Sequence, residues 1–151
     1  AESDYFNLLS VVPVSISYEK DPNDILKAKE LFTLSSNNEY LKDEREDLKS
    51  IADGVIGQKG NVHLSIGSPL QFNNDADYEQ ISNVITSEIK SSYKLHSTNI
   101  AACRMQGIDS QSDDFTEEEI NNSIQYLEDR MHAIDDDMQK FFLAQYSNPA
   151  L

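Results

Sequence analysis

The chain has 151 residues, with 27 Asp and Glu against 12 Lys and Arg, a net charge of −15, one Cys and no Trp. That charge argues against nucleic acid as the main partner, since phosphate binding needs a basic face, and against electrostatic docking of the whole chain on an anionic membrane. At 38% hydrophobic residues it can bury the core of one domain, or of a large piece of one, and its single Cys fits a reducing compartment.

Residues 11–18 read as a strand. Val12, Val14, Ile16 and Tyr18 alternate with Pro13, Ser15 and Ser17, a period of two. Pro13 cannot donate to a ladder and belongs near a strand start or an edge. Asp21-Pro22-Asn23-Asp24 is a turn that opens a helix, with Asn23 or Asp24 as the cap. Ile25, Leu26, Ala28, Leu31 and Phe32 give that helix its stripe. Residues 35–40 are polar and loop-like. Leu41, Leu48, Ile51, Ala52 and Val55 predict a second helix ending at Gly54 or Gly57. Gln58-Lys59-Gly60 is a turn whose glycine suits positive φ. Val62, Leu64 and Ile66 then alternate with His63 and Ser65, a second strand over 61–67 that Gly67-Ser68-Pro69 stops. His63 falls on the outward alternation, facing the surface or a cleft. About forty intervening residues of helix suggest a crossover connection, hence a parallel or mixed sheet.

After residue 73 the pattern is helical. Asp75 or Asp77 can cap a helix carrying Tyr78, Ile81, Val84, Ile85, Ile89 and Tyr93. Residues 98–105 suggest a short helix capped by Ser97 or Thr98, and 107–114 a polar connector. Thr116-Glu117-Glu118-Glu119 is a capping box. Ile120, Ile124, Leu127, Met131, Ile134, Met138 and Phe141 recur at spacings of four and three, which predicts one long helix. Its seam packs within the chain or, alternatively, against a partner helix. Residues 109–137 hold 11 of the acids and one base, Arg130. This reads as a solvated face; no calcium-loop spacing with a central Gly accompanies it.

Motifs for chemistry are sparse. His132 and Asp137 match a His-four-residues-Asp acyltransfer motif in spacing alone. On a helix, five residues at about 100° each place them about 140° apart, so they do not form a pair. His96 and Cys103 lack an orienting third group and an electropositive setting, and Cys103 reads as a small buried side chain. Three isolated His and one Cys give no zinc spacing, so neither metal nor cofactor is expected. The stretch from Gly54 to Gly60 lacks the Gly-Lys-Ser/Thr ending of a phosphate loop. Lys59 alone could meet a substrate phosphate as a point charge.

Two segments nevertheless resemble a known family. Val11-Val-Pro-Val-Ser-Ile-Ser-Tyr-Glu19, followed by Asp21-Pro-Asn-Asp-Ile-Leu-Lys-Ala-Lys-Glu-Leu31, resembles the last conserved block of the phospholipid/glycerol acyltransferases. Gly54-Val-Ile-Gly-Gln-Lys-Gly-Asn-Val-His-Leu-Ser-Ile-Gly-Ser-Pro-Leu70 resembles the strand that follows it there. Gln145-Tyr-Ser-Asn-Pro149 is similar to the ending of a bacterial subgroup. These enzymes move a fatty acyl group from acyl-CoA or acyl carrier protein to glycerol-3-phosphate or 1-acylglycerol-3-phosphate, at the cytoplasmic face of the membrane. Their catalytic Asn-His-x-Ser-x-x-Asp block, with His as general base, and their two arginine-bearing blocks precede the part that is matched here; none occurs in this sequence.

The resemblance therefore implies an α/β fold. Residues 1–73, with crossover strands 11–18 and 61–67, would be the C-terminal portion of a mixed-sheet acyltransferase domain, and 74–151 an acidic helical extension. The Ala1 start then reads as truncation. The chain by itself would lack activity and carry no catalytic residue. Glycerol phosphate and acyl donor would bind through the missing N-terminal half. Location would be cytoplasmic, with peripheral association at the inner face of the cell membrane. Pro13, Val14 and Ser15 match the family's fourth block and, with Lys59, are the substrate-binding candidates. The alternative from another class is a non-catalytic acidic helical module that binds a basic partner. A two-strand remnant would also leave an open edge that favours aggregation or dimerisation.

Overall fold

The computed structural model describes residues 2–37, 39–41, 45–110 and 113–151. It is mostly helical (59%) with a small antiparallel pair of strands. Contacts divide it into two compact units that interleave along the sequence. One contains the residues up to Ser17 together with Val62–Lys94, the other Tyr18–Asn61 with Leu95–Leu151.

The first unit is built on α1 (Glu2–Leu9), most of β1 (Val14–Tyr18), β2 (Val62–Ile66) and α4 (Tyr78–Ser91). The sequence reading had no counterpart for α1, a helix of two turns. Asn7 donates from Nδ2 to the Phe72 carbonyl (2.9 Å) and accepts the Phe72 N–H on Oδ1 (2.8 Å). Phe6 meets the Phe72 and Tyr78 rings edge-on, with centroids 6.2 and 6.0 Å away. Asp77, one of the two expected caps, starts α4. It accepts the Gln80 N–H (2.9 Å), while Gln80 Oε1 accepts the Asp77 N–H (3.0 Å), so two of the helix's orphan donors are satisfied.

The strands run antiparallel, which corrects the expected crossover to a parallel or mixed sheet. Gly67 N–H donates to the Pro13 carbonyl, and Glu19 N–H to that of Asn61, both at 2.9 Å. The physical reason lies in the connection. The end of α3 returns to the start of α2: a Cβ at Gly57 would lie 2.5 Å from Pro22 Cβ, and Asn23 Nδ2 donates to the Ser50 carbonyl (3.1 Å). The chain thus goes out and back to the end of β1 that it left. Gly60 closes the return at φ +63, where a Cβ would lie 2.5 Å from Glu19 Oε2.

That register sets Val14 opposite Ile66 and Ile16 opposite Leu64, on one face with Val62. The face is exposed: these five side chains keep between 44% and 68% of their surface. The opposite face of β1, Ser15 and Ser17, is buried. His63, placed outward from its alternation, is half-buried instead. A polar face in and an apolar face out invert the usual arrangement of a two-layer structure.

The second unit holds α2 (Asp24–Asn37), α3 (Glu46–Ile56), α5 (Ser97–Met105), α6 (Glu117–Met131) and α7 (Asp136–Ser147), with a final 3-10 turn Asn148–Ala150. Ala28, Ile100, Ala101, Ile120, Leu127, Phe142, Leu143 and Tyr146 form its core. α5 is buried from Ser97 to Cys103, so almost no face distinguishes inside from outside and periodicity marks it weakly. Its polar groups are matched instead. Asn99 Oδ1 accepts the His96 N–H (2.6 Å), and Asn99 Nδ2 donates to the Tyr146 carbonyl (2.7 Å). Thr98 Oγ1 donates to the Glu19 carbonyl (2.6 Å), and the Ser97 and Ser123 hydroxyls lie 2.8 Å apart.

The single long helix expected after Thr116 is two. The Thr116 cap and Glu119 box form as expected, but α6 ends at Met131. Asp135 is extended at ψ 151 and precedes α7. Three consecutive acids are poor helix-interior residues, yet Asp136 and Asp137 suit a first turn, where the helix dipole favours negative charge. α2 also outruns its expected end, because the Ser35 and Ser36 hydroxyls bond back to the Phe32 carbonyl (2.7 and 3.1 Å) inside the helix. Asn38 of the expected 35–40 loop, residues 42–44 before α3, and Gln111 and Ser112 of the 107–114 connector lie outside the described residues.

Candidate functional site

The largest concentration of buried polar chemistry gathers on Asp24. Asp21-Pro22-Asn23 turns the chain into α2, with Asn23 N–H on Asp21 Oδ1 (2.9 Å), an Asx turn. This sets Asp24 at the first helical position, where it is fully buried. Its Oδ1 accepts the Ile25 N–H (2.7 Å). Arg130 of α6 donates Nη2 to Oδ1 and Nε to Oδ2, the latter at 3.2 Å. Tyr146 of α7 donates its hydroxyl to Oδ2 (2.8 Å) and accepts the Asp21 N–H (3.1 Å). Gln145 Nε2 donates to the Asp24 carbonyl (3.1 Å). A buried carboxylate is tolerated only with such partners.

The electrostatics fix the charge states. The hydrogen bonds to Asp24 hold the Arg130 guanidinium firmly cationic. Burial, then the Asp24 charge, pushes the Tyr146 and Tyr126 phenols up from their ordinary value. Both phenols stay neutral and Arg130 stays charged across the ordinary pH range. With Arg130 charged and both phenols neutral, the bonds converging on Asp24 act as a structural clamp between α2, α6 and α7.

Arg130 also lines an open cleft of about 680 Å³ with Lys20, Lys49, Asp53, Tyr126, Ile25, Leu26 and Ile56. Lys20 Nζ stands 4.7 Å from the Tyr126 ring centroid, a cation–π contact. Lys20 and Tyr126 also border a smaller, polar cavity of about 210 Å³ into which the buried His96, Ser97 and Ser123 face.

The residues singled out from sequence lie elsewhere. Pro13 and Ser15 are buried and Val14 exposed, all at one end of the strand pair. Among the described residues the Ser15 hydroxyl has no hydrogen-bond partner. Lys59 donates to the carbonyls of Gly57 (3.1 Å) and Val55 (3.3 Å), so it caps the C-terminus of α3. None of the four lines either cavity. Cys103 is buried and unpaired, as read. His132 and Asp137 fall on either side of the helix break. Among the described residues no group of three or more His, Cys, Asp or Glu could hold a metal, and no helix is long and apolar enough to cross a membrane.

The sequence reading missed Arg130 and Tyr146 as partners of Asp24. A signal existed for Arg130: it is the one base among the acids of residues 109–137, and a lone opposite charge there invites a specific partner. Compared with protein-family models, curated proteins and solved structures, the chain shows no match.

Proposed function

We propose that this chain is the C-terminal part of a phospholipid/glycerol acyltransferase-like enzyme, which moves a fatty acyl group onto a glycerol phosphate hydroxyl. The observation that carries the reading is the inverted strand pair. The two strands that resemble the family, around Val14 and Leu64, present an apolar face to solvent. Exposed apolar patches of this kind mark surfaces that another element covers. In this reading the covering element is the upstream half of the same sheet domain, with the His and Asp block and the arginine clamp. Asp21-Pro-Asn-Asp24 and Gln145-Tyr146, which lie in two of the segments that resemble the family, are bonded to each other through Asp24, which supports reading the two segments together. Pro13, Val14 and Ser15 would then position the substrate cleft, and the chain by itself would be inactive, supplying no general base.

The test is the coding sequence upstream of Ala1. It is expected to encode the Asn-His-x-Ser-x-x-Asp and arginine blocks, and the longer protein to acylate glycerol-3-phosphate or its 1-acyl ester. A start signal with a stop codon directly upstream of Ala1 overturns the reading, as does a longer protein that carries those blocks but transfers no acyl group to either acceptor.

A further inference from the structure

We infer that the cleft bounded by the start of α2, the end of α3 and α6 binds a phosphate monoester of a compact apolar group. The inference uses only residues of the helical unit and does not rest on the acyltransferase reading. In a chain of net charge −15, this cleft brings together Lys20, Lys49 and Arg130 against a single acid, Asp53. The Arg130 charge is matched by Asp24, but through Nε and Nη2; among the described residues Nη1 has no partner. Among the described residues the Lys49 ammonium likewise has neither an ion pair nor a hydrogen bond, and the Lys20 ammonium rests on the Tyr126 ring. The clamp on Asp24 preorganises Arg130, which lowers the ordering cost of a further bond from Nη1.

Two point-charge ammonium groups and one fixed guanidinium N–H suit a dianionic phosphate, and phosphate monoesters are largely dianionic above pH 6 or so. Most of the remaining wall is apolar, Ile25 and Leu26 from α2 and Ile56 from α3, with Gln58 as a further polar side chain. A cleft of about 680 Å³ lies within the range of small-molecule sites, which pair an apolar lining with a few placed polar groups. The long-range field of the acidic chain repels anions, but it is screened beyond about 8 Å at physiological salt. Contacts inside the cleft therefore decide binding.

Titration calorimetry at pH 7.5 with phenyl phosphate, inorganic phosphate and sn-glycerol 3-phosphate tests this. Phenyl phosphate is expected to bind about tenfold more tightly than either of the others, because only it uses the apolar wall. Lys49→Gln, on an exposed helix position, should weaken phenyl phosphate about fivefold or more at unchanged Tm, and Asp53→Asn should tighten it. No saturable binding to the wild-type chain overturns the inference. So does unchanged affinity in Lys49→Gln. Equal affinity for the three phosphates overturns it in favour of a bare headgroup site.

Discussion

The helical unit and the strand pair treat their apolar residues in opposite ways. Ile100, Ile120, Leu127 and Phe142 keep 2% or less of their surface, and the polar side chains of α5 beside them are bonded. Val14, Ile16, Leu64 and Ile66 keep 44% or more, while Ser15 and Ser17 are buried on the other side. The strand pair and α6 of the helical unit both carry clear hydrophobic periodicity. The difference teaches that periodicity marks a face for burial without saying what buries it. Helices α5, α6 and α7 find one another within this chain; the sheet face does not find its partner among the described residues.

The largest expected effect lies in the packed region. Phe142→Ala removes a fully buried ring and should cost about 3–5 kcal/mol, read as a fall in the urea midpoint at constant slope. A cost below about 1 kcal/mol would mean that the helical core is loosely packed and that the contrast between regions is false. Asp24→Asn comes next. It leaves Arg130 facing a neutral amide, and breaking a buried ion pair costs about 3–5 kcal/mol. The Arg130 side chain keeps 33% of its surface, so solvent recovers part of this and about 2–3 kcal/mol is expected. Tyr146→Phe should lose about 1.5–2 kcal/mol, since it deletes the hydrogen bond donated to the Asp24 carboxylate and the one accepted from the Asp21 N–H but leaves the ring in place.

What was legible in the sequence follows the same divide. Both strands, the Thr116 box, the Asp77 cap and the positive-φ Gly60 were readable because each is decided within a few residues. The direction of the strand pair was not. A helical connection of that length permits either sense, and the out-and-back path of α2 and α3 depends on contacts such as Asn23 with Ser50. The break before Asp136 was hidden by an apolar spacing that continues across it, while the acids that favour a new first turn were read only as surface. The Asp24 site joins residues 106 and 122 positions apart, and no local pattern encodes that pairing. Lys59 looked available for a phosphate because its role in capping α3 exists only once the helix is formed.

A smaller effect tests the exposed rim of the helical unit. Glu119 accepts the Thr116 N–H and hydroxyl, both at 2.8 Å. The backbone bond first, then the hydroxyl, holds its carboxyl below the usual range. Arg104 does the same for Glu117 through two bonds of 2.7 and 2.8 Å. Because the folded values are lowered, the stabilisation is fully present above the ordinary carboxylate range and is lost as pH falls through the lowered values. Glu119→Gln should therefore lower the thermal midpoint slightly at pH 7, and the gap to the wild type should close towards pH 3. A gap that persists in acid would assign the role to packing and not to charge.

The smallest expected effect is the most informative about the contrast. Ile16→Thr exchanges an apolar side chain for one of similar shape and good strand propensity, at a position that keeps 48% of its surface. In this chain it should change stability by less than about 0.5 kcal/mol and should reduce binding of a hydrophobic dye. Ile100→Thr, the same exchange in the helical core, should cost several times more because it buries a hydroxyl without a prepared partner. If Ile16→Thr destabilises this chain as strongly as Ile100→Thr, the strand face is already covered, for instance by a second copy, and the cost should then fall on dilution as that copy dissociates. If the effect is small here but large in a longer protein that includes the upstream region, the covering layer belongs to the same polypeptide. The sign of the periodicity in β1 and β2 would then be explained: its apolar positions are interior positions of a larger sheet domain.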